Sequence, residues 1–198
     1  MEYFDVCDEN GLPTGKVVSR QEAHEKGIRH RTAHIWVIQE MEGMTQVLLQ
    51  KRSMNKDSFP GQLDTSAAGH ILAGDEPAES AVRELEEELG IKAAPGDLEF
   101  AGQFRINYDK VFHGKPFRDS EVANVFIYGK PVDITDITIQ QEELEEVGWY
   151  DLKETCRRCT EHDPAYCIPM GGLIVLMKAL DMKVDDRRTD QINDYSHK

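Results

Sequence analysis

Residues 69–91 constrain this chain more than any other segment, because they predict one helix and fix the side chains on its faces. Pro77 suits the first turn of a helix, and Gly90 suits its C-terminal stop. The N-terminal cap is expected near Gly74 or Asp75. The 3.6-residue period of the helix then collects the apolar side chains on one buried face: Ala81, Val82, Leu85 and Leu89.

Three glutamates lie beside that apolar face. Glu84, Glu87 and Glu88 stand at positions i, i+3 and i+4, so their carboxylates converge on one patch of the helix. Three like charges repel one another unless a cation lies among them, and a hard divalent ion such as Mg²⁺ prefers oxygen ligands. A solvated acidic helix face is the alternative for the helix taken alone. Gly69 favours the metal site, because a glycine loop there allows a backbone carbonyl to approach the same ion.

The same residues resemble the Nudix box. That box reads Gly, five residues, Glu, seven residues, Arg-Glu, an apolar residue, any residue, Glu-Glu, any residue, Gly and an apolar residue. Eight of these nine specified positions match, and the exception is Asp75, which stands where the family has glutamate. The resemblance implies Mg²⁺ or Mn²⁺ held by the Gly69 carbonyl and the three glutamates. It also implies that Arg83 orients the carboxylates, and the shorter Asp75 predicts an altered pairing with Arg83.

The resemblance leaves two sources for the general base that deprotonates the attacking water. Glu84 or Glu88 is the first candidate, and an acid from a distant loop is the second. The loop acids of this chain are Glu142, Glu143, Glu145 and Glu146.

The distribution of apolar and turn residues predicts an α/β protein, and the resemblance implies a Nudix-fold α/β/α sandwich with a mixed β-sheet. We expect a single domain over residues 1–198, with a core of about 30–155, an N-terminal hairpin and helix, and a C-terminal helical extension. The predicted strands are 3–7, 16–18, 32–39, 46–51, 98–107, 121–128 and 147–150. The other predicted helices begin at Ser19, at Asp151 and at Gly171.

A narrower resemblance extends from about Phe4 to Leu152 and concerns the isopentenyl diphosphate isomerases and their Nudix hydrolase relatives. The isomerases bind a metal through three histidines and two acids. The corresponding residues here imply a second metal site formed by His24, His30, His70, Asp119 and Glu121. The isomerases also carry a catalytic cysteine before the glycine-histidine pair. This chain has Ala68 there, and alanine cannot transfer a proton.

Basic residues near the end of the second long strand are candidates for binding the substrate. The resemblance places diphosphate contacts in this region, which implies that Arg52 and Lys56 bind phosphate. A role in surface solubility is the competing interpretation for both side chains.

Charge and hydropathy narrow the classes of partner. Lys and Arg number 23 and Asp and Glu number 37, which gives a formal net charge of −14. Such a field repels nucleic acid, so a small-molecule diphosphate is the expected partner. The first twenty residues lack a signal-peptide core, and no apolar stretch is long enough for a membrane span, which predicts a cytoplasmic protein. A homodimer is expected because dimers are common among relatives.

Three of the four cysteines lie close together in the sequence. Cys156, Cys159 and Cys167, with His162, provide four side chains that can bind zinc, although their spacing fits no common zinc motif. Buried or surface thiols without a metal are the alternative.

These observations predict a divalent-metal-dependent pyrophosphohydrolase. Its expected substrate is of the nucleoside diphosphate type, a diphosphate linked to another group X, cleaved by attack of water at phosphorus. An isopentenyl diphosphate isomerase-like enzyme and a non-catalytic nucleotide-sensing module are the alternatives.

Overall fold

A seven-stranded mixed sheet between two helical layers forms the body of the protein in the computed structural model, which describes residues 1–56, 58–112 and 114–183. In chain order the elements are β1 (Tyr3–Cys7), β2 (Pro13–Ser19), α1 (Arg20–Lys26), β3 (His30–Met41), β4 (Met44–Arg52), β5 (Leu63–Asp64), β6 (Ala67–His70), α2 (Pro77–Leu89), β7 (Leu98–Phe112), β8 (Lys115–Tyr128), β9 (Leu144–Asp151), α3 (Leu152–Thr160) and α4 (Met170–Ala179). Short 3₁₀ turns cover Pro95–Asp97 and Ile134–Asp136.

Two apolar cores lie on the opposite faces of the large sheet. On one face, Ile35 of β3 packs with Leu85 of α2. On the other face, Trp36 packs with Leu152 of α3 and Leu173 of α4. Because successive side chains of a strand point to opposite faces, adjacent residues of β3 supply both cores. The predicted α/β/α sandwich with a mixed sheet is confirmed.

Strand β3 holds the sheet together by pairing with three other strands. Its residues 30–37 run parallel to β8, with His30 opposite Glu121. Its other edge pairs antiparallel with β6 over Thr32–Ile35 and with β4 over Ile38–Met41. The start of β3 therefore lies between β6 and β8, and the functional side chains described below come from these three strands and from α2.

Helix α2 begins at Pro77 and ends before Gly90, as predicted. Its N-cap is Glu76, the residue after Asp75, and the Glu76 side chain makes no capping hydrogen bond. Gly90 ends the helix with a φ of 70°, and its N–H donates to the carbonyls of Leu85 and Glu86. The predicted glycine loop before the helix is wrong at Gly69, which belongs to strand β6 and pairs with Ala33.

The N-terminal residues form the predicted hairpin and helix. Strands β1 and β2 pair antiparallel, and Ser19 caps α1 by accepting a hydrogen bond from the N–H of Glu22. The β7–β8 hairpin is longer than predicted, and His113 in its expected turn lies outside the described residues. Among the described helices, none combines the length and the apolar character that a membrane crossing requires.

Replacing Leu85 with alanine tests the contact between α2 and the sheet. Leu85 is fully buried, so the Leu85→Ala variant should lose about 2–5 kcal/mol of unfolding free energy through lost burial and a residual cavity. Urea denaturation followed by circular dichroism measures this loss. The neighbouring Glu86→Ala variant is the control, because Glu86 is exposed, and it should change stability by less than about 0.5 kcal/mol. Equal losses in the two variants would contradict the packing described here.

Candidate active site

The carboxylate of Glu84 occupies the space in front of Gly69. A Cβ atom built at Gly69 would overlap the carboxyl carbon and both carboxyl oxygens of Glu84. Glu84 is only 8% exposed, and burial raises its pKa to about 7, against the opposing charge of Arg83. Glycine is therefore required at this position by the close approach of helix α2 to strand β6. We call Gly69, Glu84, Glu87 and Glu88 the carboxylate centre.

Glu88 lies one turn further along α2 and is 7% exposed. Its Oε2 accepts hydrogen bonds from Gln50 Nε2 at 3.0 Å and from the N–H of Ala68 at 3.4 Å. Burial raises the pKa of Glu88 to about 8, and the nearby charge of Glu84 adds to this shift. The two buried carboxyl groups thus resist carrying negative charge together, unless a cation is present.

Arg83 contacts Glu84, Glu87 and the backbone at the end of β6. Its Nη1 lies 2.8 Å from Glu84 Oε1 and 3.1 Å from Glu87 Oε2. Its Nη2 donates to the carbonyl of His70 at 3.0 Å. The pairing of Arg83 with the helix carboxylates is therefore present in the structure. Among the described ion pairs none joins the Asp75 carboxylate to Arg83, and the backbone carbonyl of Asp75 accepts a hydrogen bond from Arg31.

A second cluster of ligating side chains adjoins the carboxylate centre. One nitrogen or oxygen atom from each of His24, His30, His70 and Glu121 lies within 4.8 Å of the others. Asp119 joins them, with its Oδ1 at 3.8 Å from His24 Nε2. The structure thus brings together all five residues predicted for the second metal site. We call these five residues the histidine centre.

Backbone carbonyls orient two of the three imidazole rings. The Nδ1 atoms of His24 and His30 lie 2.8 Å and 2.9 Å from the carbonyls of Arg20 and Ile28. Because a carbonyl only accepts hydrogen bonds, Nδ1 carries the proton and Nε2 keeps its lone pair. Burial lowers the pKa of both histidines, which favours the neutral rings. This arrangement of imidazole donors is typical of metal-ligating histidines.

The acids of the histidine centre also fit a bound cation. Burial raises the pKa of Asp119 to about 8, and the nearby charge of Glu121 adds to this shift. Burial also raises the pKa of Glu121, to about 7. Thr32 Oγ1 donates to Glu121 Oε2 at 3.1 Å and leaves Oε1 facing the histidines. His30 Nε2, His70 Nε2 and Asp119 Oδ1 are buried and have no hydrogen-bond partner in the described part of the chain. A metal ion would satisfy all three atoms.

The two centres share strand β6. Gly69 faces Glu84, whereas the next residue, His70, points to the other side, where its Nε2 lies 3.7 Å from Glu121 Oε1. Arg83 joins the two centres, because one of its nitrogens contacts Glu84 and another contacts the carbonyl of His70. A diphosphate at the end of β6 would therefore lie next to both sets of ligands.

The predicted phosphate-binding residues lie in ion pairs with other side chains. Arg52 Nη1 is 3.0 Å from Asp64 Oδ2, and its side chain is too buried for a role limited to surface solubility. Lys56 contacts Glu143. Its positive charge partly offsets the rise in the pKa of Glu88 that burial causes. Both basic residues thus lie beside the carboxylate centre, while their charges are partly neutralised within the chain.

Most of the candidate loop acids have basic partners. Glu143 contacts Lys56, and Glu145 and Glu146 lie 3.0 Å and 3.5 Å from Lys51 Nζ. Glu142 is exposed. In the described part of the chain no hydrogen bond or ion pair joins these acids to the carboxylate centre, so Glu84 and Glu88 stay the first candidates for the general base.

The cysteine cluster does not form a metal site in the part of the chain that the structure describes. Cys159 packs in the core beneath α3, where burial raises the pKa of its thiol to about 12. The Sγ of Cys167 donates to the carbonyl of Leu63 at 3.5 Å. The interpretation as buried thiols is therefore the one that the structure supports.

Two functional side chains were not predicted from the sequence. Gln50 lies among buried apolar residues of β4 and binds Glu88, and Thr32 lies between two histidines of β3 and binds Glu121. The available signal for Gln50 was an uncharged polar residue directly after the apolar run Val47–Leu49, because a buried polar group requires a partner. Thr32 follows His30 and Arg31 and carries no such signal.

The family model and the similar proteins all point to one family. The NUDIX domain model matches residues 28–169. The chain is 40% identical over 167 residues to Nudix hydrolase 3 of Arabidopsis thaliana, which covers 83% of this chain but only 21% of that protein. It is 37% identical over 156 residues to a Nudix hydrolase of Clostridium acetobutylicum, which covers 79% of this chain and 73% of that protein. A crystal structure from Deinococcus radiodurans superimposes with a TM-score of 0.60 at 17% identity, over 81% of this chain and 90% of that one.

Adding one methyl group at Gly69 should disrupt the carboxylate centre. The Gly69→Ala variant must displace the carboxylate of Glu84, so we expect weaker Mg²⁺-induced thermal stabilisation than in the wild type. Differential scanning calorimetry with and without Mg²⁺ measures the effect. Gly96→Ala is the matched control, since a Cβ there contacts no other atom within 4 Å. Undiminished Mg²⁺ stabilisation of Gly69→Ala would contradict the proposed contact.

Removing the charge of Glu88 should stabilise the metal-free protein. The folded-state pKa of about 8 lies above the ordinary value of 4.5, so the wild type loses stability as the pH rises between these values. The Glu88→Gln variant cannot ionise there, and at pH 8 it should gain on the order of 1–3 kcal/mol over the wild type. Urea unfolding in chelator at pH 5 and pH 8 tests this. A difference that is independent of pH would show that charge is not the cause.

Proposed function

The chain belongs to the Nudix family and is a hydrolase of phosphorus-containing anhydrides, and from this premise we propose its substrate and its cofactor. The substrate is a compound of the nucleoside diphosphate type, in which a diphosphate is linked to a second group X. The cofactor is a divalent cation, Mg²⁺ or Mn²⁺. Water attacks one phosphorus atom, and the products are a monophosphate and a second phosphate-bearing fragment.

The observation that carries this proposal is the pair of buried carboxylates at the end of β6. Glu84 lies against Gly69, and Glu88 lies beside the N–H of Ala68, so both acids converge on one short strand. Glu86 and Glu87 of the same helix are exposed, so the burial of Glu84 and Glu88 is confined to the side of α2 that faces β6. Buried acids next to a glycine backbone favour a site for a hard cation and its phosphate ligand.

Residues of both centres would hold metal ions. Glu84, Glu87, Glu88 and the Gly69 carbonyl supply the oxygen donors that Mg²⁺ prefers. His24, His30, His70, Asp119 and Glu121 supply a mixed set of imidazole and carboxylate donors, which suits a transition metal such as Mn²⁺. When bound, such a cation supplies positive charge to the phosphate oxygens and stabilises the charge that develops on them during the reaction.

The side chains of the protein carry out the remaining steps. Glu88 or Glu84 accepts a proton from the attacking water as the new bond between oxygen and phosphorus forms. The bond between phosphorus and the bridging oxygen breaks, and the electron pair leaves with the departing phosphate. Arg83 keeps Glu84 and Glu87 in position, and Gln50 does so for Glu88. Arg52 and Lys56 lie beside this centre, where they contact the phosphates once their internal ion pairs open.

Allylic isomerisation is the second candidate, and the histidine centre favours it because its five residues correspond to the three histidines and two acids of the isomerases, with Asp119 in place of a glutamate. Ala68 argues against it, because no cysteine is available at the position from which the isomerases transfer a proton. The complete set of box carboxylates also favours hydrolysis over a module that only senses nucleotides.

The proposal is tested by incubating the protein with a panel of compounds and analysing the products by mass spectrometry. The panel contains nucleotides, nucleotide sugars, dinucleoside polyphosphates, coenzyme A and isopentenyl diphosphate, each with Mg²⁺ or Mn²⁺. We expect cleavage of at least one compound at a diphosphate linkage, and complete loss of this activity in chelator. The Glu84→Gln and Glu88→Gln variants should be slower by about 10²-fold or more.

The control variant is Glu86→Gln, because Glu86 lies on the same helix but is exposed. It should retain wild-type turnover. Unchanged turnover in both glutamine variants of the carboxylate centre would exclude that centre as the active site. An isomerised prenyl product without phosphate release would establish the isomerase instead, and binding without any product would establish the sensing module.

A further inference from the structure

Phe4 of strand β1 is fully buried against the imidazole rings of the histidine centre. Its ring is stacked on His70, with a centroid distance of 4.5 Å and an angle of 8° between the planes. It is also stacked on His30, at 5.0 Å and 17°. Phe4 thus contacts two proposed metal ligands face to face, although it is far from both in the sequence.

The three histidines are oriented in different ways. His24 and His30 are held through their Nδ1 atoms by backbone carbonyls. His70 has no carbonyl partner of this kind among the described hydrogen bonds, and its nearly parallel contact with Phe4 is its closest ring contact. The plane of the His70 ring is therefore fixed mainly by stacking.

We propose that Phe4 is a positioning residue for metal binding at the histidine centre. Its flat ring keeps His70 in the orientation in which Nε2 lies 3.7 Å from Glu121 Oε1, and His30 Nε2 is at the same distance from that oxygen. Both imidazoles then present Nε2 to one point. The inference rests on the proposed function, because it requires a metal ion at this centre.

Backbone hydrogen bonds and strand pairing fix the position of Phe4. The N–H of Ala73 donates to the carbonyl of Tyr3, which ties β1 to the segment that follows His70. Phe4 itself lies opposite Val18 in the β1–β2 hairpin. Phe4 and the ligand His24 both precede residue 28, where the match to the family model begins. The N-terminal hairpin and helix therefore complete the histidine centre.

Phe4 also belongs to a small apolar cluster with Val18 and Ala23, so a positioning role must be separated from ordinary packing. The side chain of methionine or leucine fills most of the same space but offers no flat surface to an imidazole ring. Val18 is 5% exposed in the same cluster, and as an aliphatic residue it has no ring to stack on a histidine. The Val18→Ala variant is therefore the matched control for lost packing.

The experiment titrates the metal-free full chain with Co²⁺, in excess Mg²⁺ to fill the carboxylate centre, and follows the visible absorption bands of the bound Co²⁺. The wild type should bind Co²⁺ with bands typical of mixed nitrogen and oxygen ligands. Phe4→Met and Phe4→Leu should bind it about 10- to 100-fold more weakly, with altered bands, as is usual when a group that orients a ligand is lost. Val18→Ala should lose thermal stability but keep the affinity within about 2-fold and the bands unchanged.

A second measurement keeps the inference testable if the Phe4 variants do not fold. The imidazole protons of His70 in the metal-free wild type should show an upfield ring-current shift in NMR spectra because the ring of Phe4 lies over them. An absent shift would overturn the inference. Equal Co²⁺ affinity and bands in Phe4→Met and the wild type would also overturn it, as would an equal loss in Val18→Ala. Failure of the wild type to bind Co²⁺ at all would instead contradict the histidine centre itself.

Discussion

Four carboxyl groups that are almost fully buried impose the electrostatic constraint on which this structure depends: Glu84, Glu88, Asp119 and Glu121. Burial raises the pKa of each to about 7 or 8, which means that the negatively charged form of each group is destabilised in the folded protein. Such groups require hydrogen bonds, protons or cations as partners. Gln50, Arg83 and Thr32 supply part of that requirement, and divalent cations would supply the rest. The apolar cores on both faces of the sheet provide the stability that offsets this cost.

Strand β6 contributes neighbouring residues to two adjoining centres. Successive residues of a strand face opposite sides, so Gly69 leaves room for Glu84 on one side while His70 reaches Glu121 on the other. The position of β6 depends on its pairing with the start of β3, which also carries His30 and Thr32. A shift of this pairing by one residue would exchange the two faces and dismantle both centres together. Strand register thus sets where Gly69 and His70 lie, while α1 supplies His24 and α2 supplies the glutamates.

The sequence predicted the parts of this site that depend on local periodicity. The spacing of Glu84, Glu87 and Glu88 identified α2 and its acidic patch, because the helix repeat alone places them together. Strand β6 was missed, since the small residues of Ala67–His70 have little intrinsic preference for strands and become one only by pairing with β3. The hydrogen bond from Gln50 to Glu88 joins residues 38 positions apart, a distance over which no local pattern carries information. The histidine centre came from family resemblance, because its ligands are dispersed over much of the chain.

The charge balance of the site determines how an anionic substrate can approach. The chain carries a formal charge of −14, and the two basic residues that act electrostatically on Glu88 are themselves paired, Lys56 with Glu143 and Arg52 with Asp64. A diphosphate that entered without a cation would be repelled by the buried acids, because the basic residues beside them already form ion pairs within the chain. Divalent cations reverse this balance, because they neutralise the acids and present positive charge to the phosphates at the same time. The metal dependence that we propose therefore rests on the electrostatics of binding as much as on the chemistry of hydrolysis.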